Sequence, residues 1–302
     1  MLTTGGPRAP GPSCMPSPPD RVPSPPLLLR CADRTLDLTQ PVVMGVLNIT
    51  PDSFSDGGRF LSADAAVEQG VRMAAEGAAL IDVGGESTRP GAQPVEEPEE
   101  LRRVLPVIER LRVLTSAVIS IDTSKPAVMR SAAAAGAGLI NDVRALREPG
   151  ALTAATASGC AVCLMHMQGE PRTMQHAPHY TDVVSEVREF LAERVAACRG
   201  AGIAGERLTV DPGFGFGKNL EHNLTLLRRL RELTVDGLPV LVGLSRKAML
   251  GTLTQRSPGE RVGGSVALAL IAALHGARII RAHDVGPTVD ALKVLAALER
   301  DG

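Results

Sequence analysis

Residues 117–142, AVISIDTSKPAVMRSAAAAGAGLIND, decide the fold. AVISID (117–122) and GLIND (138–142) are short apolar runs that close on Asp122 and on Asn141-Asp142. Between them an Ala-rich stretch starting near Lys125 reads as a helix. Runs that are apolar on both faces are how strands of a parallel sheet read, because helices cover both sides.

The same rhythm runs outward from this unit, from Pro41 to the end of the chain. The other apolar runs are PVVMGVLN (41–48), ALIDVGG (79–85), AVCLMHM (161–167), RLTVD (207–211), PVLVGLS (239–245) and ARIIRA (277–282). Helical stretches begin near Ser62, Pro98, Lys125, Pro149, Asp182, Leu220, Arg261 and Val285. Eight strands, each followed by a helix over roughly 250 residues, predict a TIM (β/α)8 barrel. An open doubly wound sheet usually has fewer strands and a glycine-rich first turn, and NITPDSFSDGG (48–58) lacks G-x-G-x-x-G.

Ahead of the barrel, LLLRCADRTLDLT (27–39) predicts a small β-hairpin around Ala32-Asp33. The first 26 residues hold nine of the 23 prolines and almost no large apolar side chains. Such a segment buries too little to offset its ordering entropy, so residues 1–26 are expected to be a disordered tail and 27–302 the barrel domain.

Composition narrows the function. The net charge of −1 supplies no field for nucleic acid or an anionic membrane. With no Trp, one Tyr and five Phe there is little to stack bases upon. No apolar run reaches the roughly 18 residues of a membrane span. Five irregularly spaced Cys do not make a disulfide framework, and cytoplasmic residence is expected.

The polar residues are placed tellingly. Strands end at Asn48, Asp82 with Glu86, Asp122, Asn141 with Asp142, His166, Asp211, Ser245 with Arg246 and Lys247, and Arg281 with His283. In a β/α barrel these ends converge on the face that carries active sites. Any one of them could merely cap a helix, but capping does not ask for Lys, Arg and His. Asp122 and Asp211 can accept paired N–H bonds from a heterocycle edge, and Asn141 can both donate and accept. Lys247, Arg281, His283 and Arg89 are donors suited to phosphate oxygens. DPGFGFGKN (211–219) is not a P-loop, since Pro212 and Asn219 stand where that motif needs Gly and Ser or Thr. Cys160-x-x-Cys163-x-x-His166 has metal-like spacing, but strand alternation separates Cys163 from a partner at that offset, and buried thiols are expected.

GVLNITPDSFSDGG (45–58), IDVGGESTRPGA (81–92), SIDTSKP (120–126), INDV (140–143), LMHMQG (164–169), DPGFGFGKN (211–219), GLSRK (243–247) and RAHDV (281–285) together resemble the segments of dihydropteroate synthases, in the family's order. The resemblance implies that 4-aminobenzoate displaces pyrophosphate from 6-hydroxymethyl-7,8-dihydropterin pyrophosphate, giving 7,8-dihydropteroate in folate synthesis. It implies that Asp122, Asn141, Asp211 and Lys247 hold the pterin, and that Arg281 and His283 grip the pyrophosphate. It further implies a Mg²⁺ ligated by Asn48, and an aminobenzoate pocket shaped by Thr88, Arg89, Pro90, Phe54, Phe216, Ser245 and Lys247. Asp122, Arg89 and Lys247 are the catalytic candidates on this reading. A homodimer and sensitivity to sulfonamides are also what the resemblance implies. A pterin-binding methyltransferase would share the heterocycle contacts but lacks need of the STRPGA loop and the Arg281/His283 pair. A non-catalytic barrel would be expected to lose loop chemistry first.

Overall fold

A computed structural model describes residues 26–49, 63–87, 93–169, 174 and 177–299. The proline-rich leader lies outside them, apart from Pro26. Two short strands, β1 (Leu28–Cys31) and β2 (Arg34–Asp37), pair antiparallel, Cys31 opposite Arg34 across the Ala32-Asp33 turn. This is the hairpin expected from 27–39.

The barrel strands follow as β3 (Val42–Asn48), β4 (Leu80–Gly84), β5 (Val118–Asp122), β6 (Leu139–Asp142), β7 (Ala161–Met165), β8 (Leu208–Asp211), β9 (Val240–Gly243) and β10 (Ala277–Ala282). All pairings are parallel, and β10 closes onto β3, so the sheet has no open edge. The helices are α1 (Ala63–Ala75), α2 (Glu97–Leu114), α3 (Pro126–Ala135), α4 (Ala151–Ser158), α5 (Val183–Gly200), α6 (Leu220–Arg228), α7 (Ala248–Thr254), α8 (Val262–Leu274) and α9 (Val285–Glu299). Among the described residues, no helix is long and apolar enough to cross a membrane.

Local chemistry sets the helix ends. Pro126 opens α3, where its missing N–H costs nothing, and Gly136 closes it in the left-handed region at φ +107°. Asp182 caps α5 by accepting from the backbone N–H of Val184 (2.9 Å) and Ser185 (3.2 Å). The short helix α7 was not among the expected elements. Gly251 interrupts its seven residues, and a second helix, α8, supplies the expected start near Arg261.

Strand alternation divides the core in two. Ile81, Val83, Ile119, Ile121, Val162 and Leu164 face the helices. Met44, Leu80, Val118, Leu139, Cys163, Leu241 and Ile279 face inward and fill the floor of the barrel. Leu29, Cys31 and Leu38 join this second cluster fully buried, so the hairpin plugs the barrel at the strands' N-terminal ends. The stopper leaves the opposite mouth for polar groups. Cys160 belongs to the outer cluster and Cys163 to the inner one, so the two thiols stand on opposite sides of the barrel wall.

Candidate active site

One step above the apolar floor the inward-facing residues become polar: Asp82 on β4, Ser120 and Asp122 on β5, Asn141 on β6, Asp211 on β8 and Arg281 on β10. The register explains the layer, because Asp82 lies opposite Ser120 and Asp122 opposite Asn141. Buried carboxylates need partners, and here each has them. Asp82 is fully buried and accepts from Ser120 Oγ (2.6 Å), Asn141 Nδ2 (3.0 Å) and Arg281 Nε (2.6 Å). Arg281 Nη2 continues to Asp122 Oδ2 at 2.9 Å. Its third nitrogen, Nη1, makes no bond to a described residue.

Two carboxylates therefore share one guanidinium. Burial and the neighbouring Asp82 push Asp122 up to about 7, with Arg281 opposing the shift. Asp211 is also raised by burial, against a 2.7 Å hydrogen bond from the Gly213 N–H. Asn141 donates to Asp82 through Nδ2, and its Oδ1 is buried with no hydrogen-bond partner among the described residues. An unpaired buried acceptor costs on the order of 1–3 kcal/mol, so this atom is poised for a donor that arrives from outside.

The 211–219 loop forms one wall of the mouth. Gly213 and Gly217 have φ of +69° and +63°, and a Cβ there would lie 1.8 Å from the His166 carbonyl and 2.4 Å from that of Gln168. Only glycine fits where the loop grazes residues 166–168. Lys218, also buried, points back into the loop and reaches the carbonyls of Gly213 and Phe216, each at 3.0 Å, and His166 Nδ1 at 2.9 Å. Burial holds His166 down at about 2, so its ring is neutral. The Lys247 ammonium donates to the Phe214 carbonyl and lies 4.3 Å from the centre of the Phe216 ring. Burial lowers Lys247 to about 8, with Asp211 working against that.

On the adjoining side, Ser245 Oγ accepts from the His283 N–H (3.2 Å) and lies 3.1 Å from His283 Nδ1. Asn48 stands across Gly84 from Asp122: a Cβ on Gly84 would meet Asn48 Oδ1 at 3.5 Å and the Asp122 Cβ at 3.6 Å. The candidates Asn48, Asp122, Asn141, Asp211, Phe216, Ser245, Lys247, Arg281 and His283 thus gather at the strands' C-terminal ends. Phe54, Thr88, Arg89 and Pro90 lie outside the described residues.

Some strand-end groups serve the fold instead. Asp142 accepts from Ser124 and from the N–H groups of Arg144 and Leu146, fixing the turn after β6. Glu86 and Glu100 both hold Lys125. The sequence places Asp82 among the strand-end groups of the active-site face without giving it a specific role, and it gives Lys218 none. A charged residue inside an apolar strand, in phase with inward-facing neighbours, was the available signal for Asp82. For Lys218, inside a glycine-rich loop, there was none.

Residues 44–283 match the family of pterin-binding enzymes. The dihydropteroate synthase of Escherichia coli K12 is 57% identical over 263 residues, spanning 87% of this chain and 93% of that protein. A crystal structure of the Yersinia pestis dihydropteroate synthase with a sulfonamide drug superposes with a TM-score of 0.87 at 54% identity, covering 90% of this chain and 99% of that one. The Xanthomonas albilineans dihydropteroate synthase with 4-aminobenzoic acid superposes at 0.86 and 56% identity, covering 91% and 99%. A closed barrel with a polar mouth, matched along nearly its whole length, places the protein: the chain belongs to the pterin-binding enzyme family, among its dihydropteroate synthases.

Proposed function

We propose that this protein is a transferase that joins 4-aminobenzoate to the pterin methylene of 6-hydroxymethyl-7,8-dihydropterin pyrophosphate, releasing pyrophosphate and forming 7,8-dihydropteroate. The observation that carries this reading is Oδ1 of Asn141, buried with no hydrogen-bond partner among the described residues, on a strand that lies between those carrying Asp122 and Asp211. An aminopterin edge offers N–H groups to these acceptors. Calorimetric titration with 6-hydroxymethylpterin tests it: binding is expected in the wild type and at least about tenfold weaker in Asn141→Ala.

Asp122, Asn141, Asp211 and Lys247 hold the pterin, and Phe216, Ser245 and Lys247 line the aminobenzoate side. Phe54, Thr88, Arg89 and Pro90 are carried forward for that pocket from the family resemblance. The C–O bond breaks as the amine nitrogen forms the C–N bond. The electron pair leaves with pyrophosphate, and the amine proton passes to solvent. Positive charge gathers on the methylene beside the Asp122 carboxylate, and negative charge on the leaving group near His283 and Nη1 of Arg281. Such preorganised charge is usually the largest catalytic contribution.

Asn48 fits a role as a Mg²⁺ ligand. Its amide oxygen is a hard donor, and the missing Cβ of Gly84 keeps the space between it and Asp122 open. Mg²⁺ at phosphate sites commonly takes only one or two protein oxygens. Bound there, the ion would supply charge to neutralise the departing pyrophosphate.

Sulfonamides are expected to compete with 4-aminobenzoate. A homodimer through the late helices is supported by Ile271 and Leu274 on α8 and Val294 and Leu298 on α9, all exposed. Light scattering tests it. Cytoplasmic residence is supported by Cys31, Cys160, Cys163 and Cys198, which are buried free thiols.

A further inference from the structure

We propose that Arg246 is a positioning residue, whose paired bonds to Asp284 hold the turn between Ser245 and Lys247 and so set Lys247 for the aminobenzoate side of the site. The inference rests on the reading of the site given above. Arg246 stands at φ +58°, in the left-handed region that side chains with a Cβ seldom adopt. Such a conformation persists only where the surroundings over-determine it, and it concentrates at functional sites.

Here the surroundings do so from several sides. Arg246 Nε donates to Asp284 Oδ2 at 3.0 Å, and Nη2 donates to Oδ1. Its backbone N–H donates to Ser265 Oγ at 3.0 Å. Its carbonyl accepts from Arg261 Nη1 at 3.0 Å, and the same nitrogen lies 3.3 Å from the Lys247 carbonyl. Gly251 makes room for that arginine, since a Cβ there would lie 2.2 Å from Arg261 Nη2.

These bonds have a consequence for the mouth. Ser245 is bonded to His283, and its neighbour Arg246 is bonded to Asp284. The ends of β9 and β10 are thereby stitched at two successive positions, and Lys247 follows directly. A forked guanidinium–carboxylate pair sets orientation as well as distance, which a lysine in the same place could not do. Removing the fork frees the turn, and Lys247 loses its fixed approach to Phe214 and Phe216.

Arg246→Gly in the full chain separates positioning from structure. Glycine accepts φ +58° without strain, and that gain works against the loss of the paired bonds to the largely buried Asp284, so the thermal midpoint should fall only modestly. The specificity constant kcat/KM for 4-aminobenzoate should fall at least about tenfold, the scale of a misplaced binding group. Arg246→Lys should fall between the two. Asp284→Asn should lower kcat/KM similarly, and the double variant should be little worse than either single one. A second readout needs no turnover. Lys125, Lys218, Lys247 and Lys293 are the only lysines in the chain, so reductive ¹³C-methylation lets Lys247 be titrated by NMR. Its midpoint near 8 should move toward the ordinary lysine value of 10.5 in Arg246→Gly. An unmoved midpoint, or kinetics within twofold of wild type, overturns the positioning role. A wild type without turnover contradicts the reading of the site instead, and the titration still decides the inference.

Discussion

The 3.0 Å hydrogen bond from Asn141 Nδ2 to Asp82 Oδ2 decides which way the Asn141 amide faces. A carboxylate can only accept, so the amide must present its nitrogen to Asp82, which leaves Oδ1 buried without a partner among the described residues. Asp82 thus orients a proposed pterin-binding residue without needing to touch the ligand, and it also anchors Arg281 at 2.6 Å.

Asp82→Asn can keep all three contacts, with its oxygen toward Asn141 and its nitrogen toward Ser120. Asp82→Ala can keep none. Pterin affinity measured by calorimetry should therefore fall only a few-fold in Asp82→Asn and by more than about tenfold in Asp82→Ala, near the 1–3 kcal/mol cost of unmatched buried polar groups. Equal affinity in both variants would remove Asp82 from this role.

Arg281→Ala should lower kcat by more than about 10²-fold, the scale of losing one charge-stabilising donor. It also strips Asp82 and Asp122 of their shared cation, so Asp122 should titrate higher still. Steady-state turnover at two pH values checks both, and a near-normal rate would contradict the account.

The pH dependence follows from the raised Asp122, at about 7. In the proposed role it is the ionised form that accepts the pterin N–H groups, so kcat/KM for the pterin pyrophosphate should fall as pH drops below about 7. Stability has the opposite sense. A carboxyl raised in the folded state contributes stability that is full below its unfolded pKa, near 3.8, and is lost as pH rises through 7. Asp122→Asn, which cannot ionise, should raise the thermal midpoint at pH 8 more than at pH 4. A uniform change at both values would refute the assignment.

Leu29→Ala tests the floor. Leu29 is fully buried among the lower barrel residues, far along each strand from the polar mouth. Chemical denaturation should show a loss of about 2–5 kcal/mol, with Michaelis constants unchanged in the folded protein. A kinetic defect without a stability loss would contradict the role of the hairpin as a plug.

Much of this was legible in the sequence. Parallel strands buried on both faces leave short apolar runs, and the N-cap Asp182 and Pro126 at the first helical position mark where helices start. The mouth could be listed because barrel topology sends every strand end to one face. Pairings could not. Arg281 reads as a phosphate donor in one dimension, yet its carboxylate partners stand 199 and 159 residues earlier. Lys218 looked like a loop lysine, and only the three-dimensional course of the glycine-rich loop folds it inside. The helix α7 escaped because seven residues with an internal glycine carry too little periodicity.

The decisive measurement is pyrophosphate release by the purified protein, given Mg²⁺ and 6-hydroxymethyl-7,8-dihydropterin pyrophosphate, with and without 4-aminobenzoate. Release is expected to depend on 4-aminobenzoate and to match the dihydropteroate formed mole for mole. Tight pterin binding with no such release would contradict it.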